Sequence, residues 1–178
     1  MTRPSARFLC LVAAASIFLG SCGIFGKQVS LEMTEEDKQQ CPPAGILAYA
    51  GEVTRFEGNG RTTDDVIERG TISGLKVTCY DTNTGVDATL TFDLSAQSGP
   101  RGGGQVALQY FVSIADDNDK PLEKKTFVAY INTAGGHGTV RKYHGVQIPF
   151  DIGGVLVDRE VIIGLQLSEE ELAYNINR

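Results

Sequence analysis

The sequence contains no tryptophan, and only two of its 178 residues are histidine. The missing tryptophan excludes the buried core tryptophan that marks true antibody-type domains. The two histidines, His137 and His144, are too few and too scattered to indicate a zinc site, because such sites need closely spaced ligands. We therefore expect both histidines to be surface residues.

Clusters of basic residues are missing as well. The chain has 16 lysines and arginines against 22 acids, for a formal net charge of −6. Residues 1–21 hold Arg3 and Arg7 and no acid, so their removal would leave 14 − 22 = −8. Phosphate contacts need lysine and arginine, which argues against nucleic acid as a partner. The chain also has no polybasic patch that would attract anionic lipid.

The N-terminus has the parts of an export signal. Arg3 and Arg7 form a positive start, and residues 8–19 form an apolar run. That run has the size of a signal-peptide core and is shorter than the roughly 20 residues that a membrane-spanning helix needs. It ends in Leu19-Gly20-Ser21-Cys22. This segment resembles the signal peptide of bacterial lipoproteins, whose lipobox reads leucine, two small residues and cysteine.

The resemblance to lipoproteins implies cleavage before Cys22, lipid on the Cys22 thiol, and usually an acyl chain such as palmitate on the new amino group. Two or three acyl chains hold a protein stably on a bilayer. Gly23 follows the cysteine where aspartate would signal retention, so the enteric sorting rule implies the outer membrane. The periplasmic face of the inner membrane is the alternative location. An ordinary secretory signal cut nearby is the alternative to the lipid anchor.

The mature chain divides into a tether and one domain. Residues 22–40 carry the lipid site and then a polar, acidic stretch without a strong period, which predicts a flexible tether. A flexible chain of about 18 residues spans roughly 20–25 Å, so the domain should lie close to the membrane face. Pro42 and Pro43 end the tether, because each proline restricts φ and excludes helix. Residues 41–178 are predicted to form a single domain.

The chain has four cysteines, and they fall into two groups. Cys10 leaves with the signal peptide and Cys22 is lipidated, so Cys41 and Cys79 form an even pair in an oxidising compartment. Such a pair predicts a disulfide. The bond would close a loop of about 39 residues and stabilise the fold by up to about 4 kcal/mol. Two free buried thiols or a metal pair are the alternatives.

The domain has a β pattern almost to its end. Residues 86–94 alternate most clearly, with Ala88, Leu90, Phe92 and Leu94 on one face, as in a sheet with one wet face. Seven or eight such segments, with a turn signal about every 8–12 residues, predict an all-β antiparallel sandwich that is immunoglobulin-like or fibronectin-like. A small closed barrel is the alternative. A capping box that starts at Ser168 predicts a short C-terminal helix over residues 169–174.

Catalytic and ligand-binding motifs are weak. The glycine-rich residues 98–104 lack the strand-then-helix context of a phosphate loop, which favours a crossover between sheets. Residues 116–119 are rich in aspartate, but they lack the spacing of a calcium loop and predict a turn. The adjacent carboxylates at residues 64–65 and 169–171 predict a solvated turn and a helix start. We predict no catalytic residue, no cofactor and no metal.

Several stretches together resemble a set of small lipoproteins from alphaproteobacterial genomes. The stretches are residues 41–46, 54–56, 77–80, 110–112, 164–167 and 171–175. The resemblance spans most of the mature domain. It implies an envelope location and contributes no catalytic residue, because that set has no assigned activity.

These features favour a non-enzymatic, lipid-anchored envelope protein of a Gram-negative bacterium. We expect an unidentified envelope protein as its partner, bound in the periplasm through an edge strand or a sheet face. The alternative is a protein or enzyme that acts on envelope glycan or lipid. A glycosidase would need two carboxylates brought together by the fold, so a deep pocket with two carboxylates would favour that alternative.

Overall fold

A computed structural model describes residues 41–116, 118–149 and 158–178. The predicted signal peptide, the lipidation site Cys22 and the tether lie outside the described residues. Asp117 and residues 150–157 lie outside them as well.

The described residues form eight strands, a 3-10 turn at Thr63–Asp65 and one helix, α1, at Glu169–Ile176. The strands are β1 Ala44–Ile46, β2 Glu52–Phe56, β3 Val66–Asp81, β4 Gly85–Ser98, β5 Gln105–Asp116, β6 Pro121–Asn132, β7 His137–Pro149 and β8 Arg159–Leu165.

The strands form two four-stranded sheets. The first has the order β1-β8-β5-β6 and the second the order β2-β3-β4-β7. All neighbours run antiparallel except β1 and β8, which are parallel. The two sheets bury a common core, which confirms the predicted sandwich, and they stay separate instead of closing into one sheet. The protein shares the two-layer architecture of immunoglobulin domains but not their strand order. In the constant-domain order, ABED and CFG, the first strand pairs with the second, whereas here β1 pairs with β8.

The core follows from the alternation along the strands. On β4 the predicted inward set is buried, and Leu90, Phe92 and Leu94 have no exposed surface. Leu108 of β5 and Ile163 of β8 meet this set from the other sheet. Full burial of each such side chain contributes about 1.5–3 kcal/mol. The period of two therefore sets which face of each strand lies between the sheets.

The predicted disulfide is present. The Cα atoms of Cys41 and Cys79 lie 5.5 Å apart, and both cysteines pack against the core. Cys41 precedes β1 of the first sheet, whereas Cys79 belongs to β3 of the second. The bond therefore joins the two layers of the sandwich.

Helix α1 begins with the predicted capping box. The Ser168 hydroxyl accepts from the Glu171 amide, and the Glu171 carboxylate accepts from the Ser168 amide. The same carboxylate pairs with Arg55 of β2, whose guanidinium also pairs with Glu68 of β3. Burial alone would lower the pKa of Arg55, but its hydrogen bonds to Glu171 and Glu68 outweigh burial and raise it. The cap thus fastens the helix to the sheet.

The end of α1 holds the turn between β1 and β2. The buried Asn175 side-chain amide donates to the carbonyl oxygens of Tyr49 and Glu52, each at 2.7 Å. Tyr49 has a φ of 60°, a conformation that residues with a side chain adopt uncommonly. Tyr174 packs edge-on against Phe56 with ring centroids 5.0 Å apart. The helix therefore covers the side of the sandwich where β1 and β2 end the sheets, which we call the closed side.

Candidate functional site

The opposite side of the sandwich, which we call the open side, ends in the edge strands β6 and β7. β6 pairs with β5 and β7 pairs with β4, and within the described residues neither has a strand on its other edge. The two strands are 12 and 13 residues long. Residues 121–126 of β6 are all exposed. A long exposed edge offers unpaired N–H and C=O groups to another strand.

A cleft of about 520 Å³ lies between the two edges. One wall comes from β5 and β6, and the other comes from β7. The lining combines apolar side chains with polar ones, including one acid and one lysine. The lining residues are Val112, Ile114, Glu123, Lys125, Phe127, His144, Gly145, Val146 and Gln147.

Two of the residues that line the cleft, Phe127 and His144, belong to an aromatic cluster with Phe92 and Tyr110. The Tyr110 hydroxyl and His144 Nε2 share a hydrogen bond of 2.9 Å. The His144 and Phe127 rings lie 4.3 Å apart between centroids, and Phe92 stacks on His144 at 5.8 Å. Tyr110 and Phe127 belong to one sheet, and Phe92 and His144 to the other. The cluster therefore holds the two sheets together beside the cleft.

The surface prediction for His144 is wrong, whereas His137 is exposed as predicted. His144 pairs with the buried Leu90 on β4, so its ring points between the sheets and is half-buried. Burial, with a smaller contribution from Lys142, lowers the pKa of His144, which favours the neutral ring. Burial raises the pKa of Tyr110. The sequence contains a signal for this placement, because His144 has the same parity as Val146 and Ile148, which pack against or lie in the core.

The open side is basic although the chain is acidic. Strands β6 and β7 carry four cations and one acid, namely Lys124, Lys125, Arg141, Lys142 and Glu123. Three of the cations have contacts nearby. Lys125 pairs with Glu123 at 2.7 Å, Arg141 pairs with Asp93 at 2.8 Å, and Lys124 Nζ lies 4.2 Å from the centre of the Phe111 ring. Charges on an edge strand, some of them pointing inward, disfavour pairing with a like edge.

The other predicted loops have structural explanations. Residues 99–104 cross from β4 in one sheet to β5 in the other, as predicted. In the aspartate-rich turn, the Asp116 carboxylate accepts from the backbone amides of Asn118 and Lys120. Across the described ranges, no group of three histidine, cysteine, aspartate or glutamate side chains is placed to hold a metal ion.

The adjacent carboxylates are engaged in capping hydrogen bonds and ion pairs. Asp65 accepts from both the amide and the hydroxyl of Thr62 in the 3-10 turn, and Glu171 is held by the cap of α1. A smaller cavity of about 240 Å³ beside α1 contains Glu170 and Glu171, which pair with arginines. Glu123 is the one carboxylate among the residues that line the open-side cleft. The lining residues therefore do not supply the two carboxylates of a glycosidase.

The chain matches no protein-family model and no curated protein. A DUF1425 family member from Shewanella sp. pv-4 is 16% identical over 67% of this chain and 94% of its own, with a TM-score of 0.34. The variable domain of the AgI/II polypeptide BspA from Streptococcus agalactiae is 14% identical over 65% of this chain and 72% of its own, with a TM-score of 0.20. Scores this low carry no inference about family or function.

Within residues 41–116, 118–149 and 158–178, no helix has the length and apolar character to cross a membrane.

Proposed function

We propose that the protein is a lipid-anchored, non-enzymatic protein of the bacterial envelope that binds a protein partner by accepting a strand on its open side. The observation that carries the proposal is the pair of long edge strands, β6 and β7, on either side of a cleft lined by both apolar and polar side chains. Extended peptides bind such edges through main-chain hydrogen bonds, while alternate side chains enter pockets. The cleft supplies a pocket next to the edges.

The position of the chain start supports this arrangement. Cys41 precedes β1, and β1 and β6 form opposite edges of the same sheet. Three strand spacings separate those edges, or roughly 14 Å. A domain held through residues 22–40 is therefore attached on its closed side, which leaves β6 and β7 accessible in the periplasm. Gly23 after the lipobox supports the outer membrane as the location.

The anchor is tested by Cys22→Ala. Without the thiol there is no site for the diacylglyceryl group, so we expect the protein to leave the membrane fraction. Cys10→Ala is the matched control, because Cys10 belongs to the segment that is removed, and it should leave fractionation unchanged. The intact mass of the native protein should equal residues 22–178 plus acyl chains. Membrane association of Cys22→Ala at the wild-type level would overturn the anchor.

Partner binding is tested by photocrosslinking in intact cells. A photoreactive phenylalanine analogue replaces Thr126 on β6, Gln147 on β7 or, as a control, Thr89 on the outer face of β4; all three positions are exposed. We expect a discrete protein adduct from at least one edge position and none from Thr89. Absence of an edge adduct, or equal adducts at all three positions, would contradict strand addition.

A further inference from the structure

We infer that the partner of the open side is an acidic extended protein segment that pairs with β6. The inference rests on the proposed function and adds the charge of the partner and the strand that receives it.

Charge favours an acidic segment. The whole chain has a formal net charge of −6, yet β6 and β7 together hold four cations and one acid. Complementary charges steer partners together and select among them. Lys124 and Lys125 are adjacent on β6, so they extend to opposite faces of any strand laid beside it. An acidic segment would meet a lysine on each face.

The same charges disfavour a second copy of this chain. A two-fold dimer brings the same surface of both copies together. Two β6 edges paired about residues 124–125 would then bring four lysines of two copies into one short sheet segment. Like charges directly opposite each other destabilise a strand pair. An acidic partner turns these contacts into attractive ones.

Exposed apolar surface favours β6 over β7. Phe127 of β6 lines the cleft on the inner face, while Val128 and Tyr130, on the outer face, are 44% and 67% exposed. A strand beside β6 would therefore cover apolar surface on both of its faces. The outer face of β7 is more polar around Thr139, which is bonded to Ser95, although Tyr143 is exposed there.

The geometry also indicates the pattern of the segment. A side chain that points inward opposite Phe127 would enter the cleft, so this position should be apolar. Its neighbours along the segment should include acids placed near Lys124 and Lys125. Opposite-charge pairs across strands each contribute modestly, so loss of two pairs should weaken binding between about twofold and thirtyfold.

The first test uses a defined probe with the full mature protein in detergent. A dye-labelled peptide of alternating valine and glutamate is titrated against it, and a valine and lysine peptide of equal length is the matched probe. We expect binding of the glutamate peptide only, with backbone amide shifts centred on residues 121–128. Equal binding of the lysine peptide, or shifts centred on β7, would overturn the inference.

Charge variants make the test specific. Reversal of both lysines, K124E/K125E, should weaken binding of the glutamate peptide about tenfold, and K124R/K125R should preserve it. Arg69→Glu reverses an exposed charge on β3 of the other sheet and is the matched control. Each variant is first checked for an unchanged melting temperature. Equal weakening by Arg69→Glu would show a general charge effect and overturn the assignment to β6.

Mapping the photocrosslinks separates this inference from the proposed function. An adduct from Thr126 to an acidic protein segment supports both. An adduct from Gln147 alone, or from Thr126 to a segment without acids, leaves strand addition standing and overturns the inference. An adduct to a second copy or to lipid overturns the acidic partner. Absence of adducts from both positions overturns the proposed function itself.

Discussion

The edge strands on the two sides of the sandwich differ in their length and in what covers them. On the closed side the edges β1 and β2 are three and five residues long, and a helix and a disulfide lie against them. On the open side β6 and β7 are 12 and 13 residues long and have no such cover among the described residues. Short or covered edges are the usual protection against unwanted pairing. The long edges of the open side are therefore the ones at which another strand can pair.

The sides also differ in how polar groups are satisfied. On the closed side the contacts of Asn175, Arg55 and Glu171 link α1 to the sheets. On the open side the main polar features are the charges of β6 and β7 and the hydrogen bond between Tyr110 and His144. We therefore expect substitutions on the closed side to change stability and substitutions on β6 to change binding.

The largest effect should come from removal of the disulfide. The double substitution C41S/C79S should lower the free energy of unfolding by about 4 kcal/mol, because the bond closes a loop with a sequence separation of 38. Urea unfolding of the oxidised wild type and of the variant measures the difference. A loss smaller than about 1 kcal/mol would mean that the closed side does not depend on this link.

A smaller effect is expected at the end of α1. Asn175→Ala removes two hydrogen bonds to the carbonyl groups of Tyr49 and Glu52, and should lower the free energy of unfolding by about 1–3 kcal/mol. Asn177→Ala is the control, because that exposed side chain donates only within the helix end, to Ala173. Equal losses in denaturant titrations of the two variants would contradict a special role for Asn175.

On the open side, stability should depend on pH through His144. Its pKa is lowered in the folded protein, so the unfolded chain binds the proton more readily. The neutral His144 ring therefore makes its full contribution to stability above the ordinary histidine pKa of about 6.5. This contribution is lost as the pH falls through the lowered pKa of the folded protein. Lys125, Lys142 and Glu123 are the charged groups that point into the same space.

The variant His144→Phe keeps a ring in the aromatic cluster and should remove this dependence between about pH 8 and pH 5.5. His137→Phe, at an exposed position, should retain it. Unfolding curves across that range measure both variants. The pKa of Glu171 is lowered as well, but the contribution of Glu171 to stability is lost only when the pH falls below the ordinary pKa range of carboxylates. An unchanged dependence in His144→Phe would place its origin elsewhere.

The smallest change in stability should come from β6 itself. Because both lysines are exposed, K124E/K125E should alter the free energy of unfolding by less than about 0.5 kcal/mol. The same variant should bind the glutamate peptide about tenfold more weakly. One double substitution would then separate the effect on binding from the effect on stability. A large loss of stability would show that these lysines serve the fold.

Local pattern predicted much of the fold. The alternation over residues 86–94 marked the buried face of β4, and the capping box at Ser168 marked the start of α1. The sequence pattern predicts a strand over residues 126–131 only, whereas β6 begins at Pro121. The missed residues do not alternate, and they are extended because they pair with β5. The missed half contains the basic edge on which our inference rests.

The parts that could not be predicted are those that depend on strand order. Residues 46–50 form an apolar run in the sequence, but β1 ends at Ile46, and its partner β8 lies more than 100 positions away in the sequence, at residues 161–163. His144 could not be placed beside Tyr110 without knowledge of which strands face each other. No local period contains that information, because strand pairing depends on distant contacts.

The all-β class, the inward faces of the clearest strands, the C-terminal helix and the pairing of Cys41 with Cys79 can be read from the sequence. These follow from side-chain periodicity, capping chemistry and the number of cysteines, which are local or compositional. In contrast, the packed fold is needed to show that β6 and β7 are edges, that His144 lies between the sheets and that a cleft opens beside it. Those features depend on the order in which distant strands pair, and that order is set by packing of the whole core.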